Sequence, residues 1–251
     1  MDNITFVNKI EDIAKNYKTL YVMGCFGSPM TDANKSRYTT NHSYNKQPSR
    51  TAMIKAASSD TFGFDCVNLI KAVLWGWCGD KNATYGGAKY ASNGVPDIDA
   101  DTMIKKCQDA SSSNWNSIEK GEVVWMSGHI GVYVGNGKVV ECSPKWNNCV
   151  QYSNLGNLGF TSGNSRIWTK HGHIPYITYI KDTVDSVVKD KEKEVKVMYK
   201  SLDEVPEYAK EAIDYYLKNG FIQGIGGGNL NLSEDMLRIL VILYRIIKKG
   251  V

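Results

Sequence analysis

The chain has 251 residues, 42% of them hydrophobic and 22% charged, with a formal net charge of +4. That balance excludes a largely disordered protein. The small positive excess is no basis for nucleic-acid binding, although it suits an anionic surface such as a bacterial wall. No uninterrupted apolar stretch approaches the length of a membrane span, so membrane insertion is not expected.

At the N-terminus Ile4, Val7, Ile10, Ile13, Ala14 and Tyr17 recur at helical spacing, with Asp2, Glu11, Asp12 and Lys15 between them. This predicts an amphipathic helix of a folded domain and not a signal peptide, so the protein is expected to be made in the cytoplasm. The stretch Gly27 to Ser59 is rich in Ser, Thr, Asn and Lys and reads as a long loop or short-element insertion. From Phe64 to Trp77 the pattern turns helical: Leu69, Ile70, Val73, Leu74 and Trp77 make one stripe, ended by Gly76 and Gly79. Gly79 to Ser117 is loop-rich, with a short helix around Asp101 to Gln108. Beyond Glu119, β-branched and aromatic runs predict strands over Val123–Trp125, Ile130–Val134 and Val139–Val140, with further strands at Arg166–Trp168 and Ile174–Ile180. Helices first and sheet later indicate an α+β domain over residues 1–180. The charged run 181–200 reads as a linker. Residues 201–251 read as a two-helix unit, with Pro206 in the first turn, Ser233 capping the second helix, and Leu237, Leu240, Val241, Tyr244 and Ile247 as that helix's buried face. Fifty residues are marginal alone, so this unit is expected to dock on the first domain or to form a homo-oligomer.

Chemistry concentrates at Cys66, His129 and Glu141. Cys66 begins a helix, where unpaired N–H groups and the dipole favour a thiolate and can also hold an oxyanion. His129 opens a predicted strand whose residues 129, 131 and 133 share a face, and Gly131 leaves space beside it. Glu141 joins them only for one hairpin geometry. A two-residue Asn136-Gly137 turn makes 135 face 138 and sets Glu141 opposite Val132, on the wrong face. A three-residue Gly135-Asn136-Gly137 loop pairs 134 with 138 and 131 with 141, and brings Glu141 diagonally beside His129. The odd-length loop is the prediction. Taken singly, Cys66 also reads as a small buried hydrophobe, His129 as a structural histidine and Glu141 as an exposed edge glutamate.

Taken together and in order, these segments resemble the NlpC/P60 cysteine peptidases, which have a papain-like core. Tyr21-Val22-Met23-Gly24-Cys25 resembles the family's opening Tyr and Gly-pair motif, with Cys25 in place of the second Gly. Gly63-Phe64-Asp65-Cys66 resembles its nucleophile motif, with Val67-Asn68 in place of Ser-Gly. Lys120 to Trp125 and His129 to Gly137 are similar to its histidine hairpin. Glu141 stands where many members carry His, and a carboxylate there is similar to the related CHAP amidases. The resemblance implies Cys66 as nucleophile, His129 as general base and acid, Glu141 as orienter, and Tyr21 and Asp65 as contacts to the stem peptide. It covers residues 1–180. Val205 to Lys210 and Leu230 to Arg238 resemble a helical segment of clostridial phage endolysins, distantly similar to S-layer homology modules, which implies wall attachment.

Other features carry less. Gly224 to Gly228 lacks the Gly-Lys-Ser/Thr and the preceding strand of a phosphate loop and reads as a turn. His171 and His173 lie one apart without a third ligand, so neither metal nor cofactor is expected. Trp75 and Trp77 sit on different sides of the helix, one for the core and one for a groove; Trp125, Trp146 and Trp168 suit core or cleft walls. The six cysteines (Cys25, Cys66, Cys78, Cys107, Cys142, Cys149) include no CxxC pair and are expected mostly as reduced thiols. The reading is a peptidoglycan hydrolase of the phage endolysin type, released by a holin. Its alternatives are a host autolysin and a non-catalytic wall-binding protein on the same scaffold. Amidase and endopeptidase activity remain equally open at this point.

Overall fold

The computed structural model describes residues 1–180, 198–225 and 229–248. Most of the expected linker 181–200 and the middle of the Gly224–Asn229 turn lie outside the described residues. The chain divides into two compact units, 1–180 and 181–251.

The first unit is mixed α+β. It opens with α1 (Asn3–Asn16), capped by Asp2, whose Oδ1 accepts from the Thr5 N–H at 2.7 Å. Phe6, Val7, Ile10 and Ile13 bury its apolar stripe. Three short strands follow: β1 (Thr19–Tyr21), β2 (Phe26–Pro29) and β3 (Phe62–Phe64). They form a small sheet in the order β1-β3-β2, with β1 parallel and β2 antiparallel to β3. Between β2 and β3 the polar stretch is mostly helical, not loop. Thr31 caps α2 (Asp32–Asn41), and α3 (Pro48–Ala56) begins on a proline. Tyr38 and Ile54 from these helices close over Val22, Cys25 and Met30 as a separate small core.

Helix α4 (Cys66–Leu74) is central: all nine of its residues are buried. After α5 (Ala100–Lys106) come β4 (Val123–Met126), β5 (His129–Gly135), β6 (Lys138–Ser143), β7 (Cys149–Leu155), β8 (Ser165–Arg166) and β9 (Lys170–Gly172). Their order is β8-β7-β6-β5-β4-β9, antiparallel throughout except for the parallel β7–β8 pair. Side chains alternate across this sheet. Ile130, Val132, Val134, Val140 and Cys142 share the main core with α1 and α4. Tyr133, Val139, Leu155 and Trp168 build a second core on the other face.

Two expectations fail here. Residues 174–180 form no strand; Thr178 makes an isolated bridge with Asp2, outside the named strands. Trp75 and Trp77 are both buried, 1% and 5% exposed, with neither on a groove. The helix stops at Leu74, so Trp77 turns inward and its indole N–H donates to the Gly27 carbonyl at 2.9 Å.

The second unit pairs β10 (Met198–Tyr199) with β11 (Leu232–Ser233), a ribbon the periodicity does not reveal. Helices α6 (Glu207–Lys218) and α7 (Glu234–Lys248) pack through Ala209, Ala212, Ile213 and Tyr216 against Leu237, Val241 and Tyr244. Pro206 stands at the cap of α6 and not in its first turn. The Ser233 hydroxyl accepts from the Met236 N–H at 3.3 Å, as a cap. Ile247, expected inside, is 47% exposed.

Candidate active site

Asp65 ends the β3 turn and starts α4. Its Oδ1 accepts from the Asn68 N–H at 2.8 Å; its Oδ2 accepts from the Gly24 N–H at 2.8 Å and the Asn68 amide at 2.7 Å. Both oxygens are thus engaged in capping the helix and tying it to the segment after β1. Cys66 is the first helical residue, and the nearby backbone of Ile130, Val67 and Cys66 itself favours its anion. The helix start alone favours a thiolate, yet the thiol is pushed up to about 12, first by burial and then by the adjacent Asp65 charge. The carboxylate that caps the helix opposes ionisation of the sulfur beside it. The resting group is a protonated thiol, contrary to the expectation from helix position. All six cysteines are free.

The hairpin reaches the expected register by a different route. Gly135 pairs with Lys138, so the turn is the two-residue Asn136-Gly137 form, both in the left-handed region (φ 50° and 67°) that such turns require. A bulge between Tyr133 and Gly135 then shifts the ladder, restoring Tyr133↔Val139 and Val132↔Val140. Continuing that register sets Gly131 opposite Glu141. A Cβ at 131 would lie 3.3 Å from the Glu141 Cβ and 2.7 Å from Val139. His129 and Glu141 therefore share a face, and His129 Nε2 lies 2.6 Å from Glu141 Oε2.

Glu141 is fully buried and held by three side chains. Besides His129, Ser153 Oγ donates to its Oε1 at 2.6 Å, and Arg166 Nε lies 2.9 and 2.7 Å from Oε1 and Oε2. Burial pushes its carboxyl up, but the bonds from His129 and Ser153 and the charges of His129 and Arg166 outweigh it and hold it below the usual carboxylate range. Arg166 is itself fixed: Nη2 donates to Ser143 Oγ at 2.9 Å, and the guanidinium lies 4.8 Å from the Trp146 ring and 5.8 Å from the Trp168 ring. Trp168 also stacks on the His129 ring at 5.4 Å. The sequence reading missed Arg166 and Ser153. The signal for them is that a buried carboxylate demands a cation and donors, which the next strands must supply.

Cys66 belongs to the core on the α4 face, whereas His129 and Glu141 continue the row of Tyr133 and Val139 on the opposite face. The β5–β6 ladder ends at Val132↔Val140, short of His129 and Glu141. Among the described residues no hydrogen bond joins thiol and imidazole: the structure brings His129 and Glu141 together and leaves Cys66 on the other face. Glu141 occupies Nε2, and Nδ1 makes no hydrogen bond among the described residues.

Tyr21 is buried beside the sulfur: burial first, and the Cys66 charge second, raise its phenol far above the ordinary value. Its ring packs edge-on against Tyr44 at 5.9 Å and lies 5.5 Å from the Arg50 guanidinium, which donates to the Tyr21 carbonyl. The insertion helices thereby brace the strand that carries Tyr21. His171 meets Glu122 at 2.6 Å and the Ser113 carbonyl at 2.8 Å, and His173 meets Asp109, Glu119 at 3.3 Å and the other Glu122 oxygen at 3.9 Å. Among the described residues no group of three His, Cys, Asp or Glu side chains is arranged to hold a metal.

No family profile matches the chain, and no curated protein matches it. Among solved structures, the chain is similar to NlpC2 from Trichomonas vaginalis at 15% identity and a TM-score of 0.35. That alignment covers 69% of this chain and 46% of the other, so this chain spans less than half the length of the protein it matches.

Proposed function

We propose that the first unit is a thiol-dependent hydrolase of the peptide stem of bacterial peptidoglycan. The observation that carries it is the His129–Glu141 pair at 2.6 Å, clamped by Arg166; in this reading the pair is joined to Cys66 at the head of the buried helix α4. A lone strand histidine has no need of a fully buried, ionised partner; an imidazole that must become a cation does. In this reading His129 Nδ1 takes the Cys66 proton as the sulfur attacks the amide carbonyl, and Glu141 stabilises the imidazolium formed. The imidazolium then protonates the leaving amine, giving a thioester. Water attacks the thioester, yielding its proton to His129 and releasing the carboxylic acid and the thiol. In the same reading, backbone N–H groups at the start of α4 receive the oxyanion.

The finer reading is a phage-type lysin, without cofactor or metal, that reaches the wall after holin-dependent release and attaches through residues 201–251. The test is clearing of purified Gram-positive walls, with mass spectrometry of the released muropeptides. Wild type is expected to expose new amino and carboxyl ends within the stem, and Cys66→Ala and His129→Ala to lose at least a thousandfold in rate. Undiminished clearing by Cys66→Ala refutes the mechanism. Loss of activity to a chelator but not to a thiol reagent redirects it to a metal. The position of the new ends separates amidase from endopeptidase.

A further inference from the structure

Helix α7 is apolar on two faces, and α6 covers one of them. Leu237, Val241 and Tyr244 are buried against α6. On the other side Met236, Ile239, Leu243 and Ile246 follow one another at spacings of three, four and three residues, flanked by Ile242 and Ile247. All six are between 45 and 58% exposed. That spacing is the seam of a coiled coil, and a helix apolar on both sides is ordinarily buried on both.

Charge order selects the occupant and its direction. Glu234 and Asp235 stand in the first turn of α7, and Arg245 and Lys248 in the last. A second α7 laid antiparallel sets each acidic end, with its positive dipole, against a basic end with its negative dipole. A parallel partner sets like against like. A surface complementary to itself under a two-fold rotation is the signature of an isologous interface. Six half-exposed aliphatic side chains leave on the order of 500 Å² uncovered per chain, so pairing two copies buries about 1,000 Å², the lower bound for a specific interface.

We propose that α7 is a self-association surface, through which two copies of the chain form an antiparallel dimer with Ile239 and Leu243 beside the two-fold axis. Sedimentation velocity with light scattering on the full chain, over a concentration series, tests this. The wild type is expected at the mass of two chains. The Ile239→Lys/Leu243→Lys variant is expected at the mass of one, with helicity retained because neither side chain faces α6. Should that variant misfold, the charges supply an independent arm. Asp235→Arg and Arg245→Glu are each expected to weaken the dimer at least tenfold, and mixing the two variants to restore it. A wild type with the mass of one chain at every concentration overturns the proposal. So does a dimer indifferent to both the lysine pair and the charge exchange.

Discussion

Glu141 is where several side chains converge, and His129, Ser153 and Arg166 together keep it charged. Replacing Arg166 by Gln removes the cation whose Nε reaches both oxygens and leaves a buried carboxylate on Ser153 and His129 alone. Breaking a buried pair from one side costs about 3 kcal/mol, and Arg166→Lys is expected to recover only part of it, because an ammonium keeps the charge but not the Nη2 bond to Ser143. The pH dependence has a definite sign. Glu141 lies below the ordinary carboxylate value when folded, so its contribution to stability is present above the unfolded value of about 4.3 and is lost as pH falls through the lower folded one. Without Arg166 the folded value rises. Urea midpoints at pH 7 and pH 4 are expected to converge for the variant, and the acid limb of the rate profile to move upward. An unmoved acid limb would mean that Arg166 only holds the loop. Gly131→Ala probes the same group by crowding: the added methyl meets Val139 and Glu141, with an expected cost of about 1–3 kcal/mol and a rate loss exceeding what that instability explains.

The elements set these residues against each other, and α4 is the clearest case. Asp65 caps it while its charge raises the Cys66 thiol. Asp65→Asn keeps an acceptor for the Asn68 N–H but removes the charge. The pH midpoint for iodoacetamide labelling of Cys66, followed by peptide mass spectrometry, is therefore expected to fall relative to wild type; a rise would mean that the carboxylate helps the thiolate. The sequence makes α1, α4 and β4 to β6 legible because their apolar periods are strong and the core rewards them; β7 and β9 stay unread. It leaves α2 and α3 hidden because α2 is polar along most of its length and both bury only a few side chains, such as Asn34, Tyr38, Arg50 and Ile54. The hairpin is instructive in a different way. The face-sharing of His129 and Glu141 is readable only once a register is chosen, and the means is not readable: a tight Asn136-Gly137 turn with a bulge gives the same register as a longer loop. Arg166 escapes for a related reason. It sits on a two-residue strand, β8, whose place beside β7 is set by long-range pairing and not by any local pattern.

At the scale of the molecule, each unit closes its own core. The apolar clusters of the first unit draw only on residues up to Ile177, and that of the second only on residues from Tyr199 onward. A chain cut after Ile180 therefore keeps every residue of the first unit's clusters, and it is expected to melt within about 3 °C of the main transition of the full chain, since a loss of 1 kcal/mol would move a domain of that size by roughly that much. Its chemistry and its targeting are expected to separate. Hydrolysis of small soluble stem peptides depends on Cys66, His129 and Glu141 alone and should stay within about threefold of the full chain. Clearing of intact walls should drop by at least tenfold, because a second attachment point raises the effective concentration of the catalytic unit at the wall, with gains of about 10²–10⁴ typical of such linkage. If the two substrates fall together, the cut has damaged the first unit. If neither falls, residues 201–251 do not attach the protein to the wall, and their remaining physical role is the pairing of chains through α7.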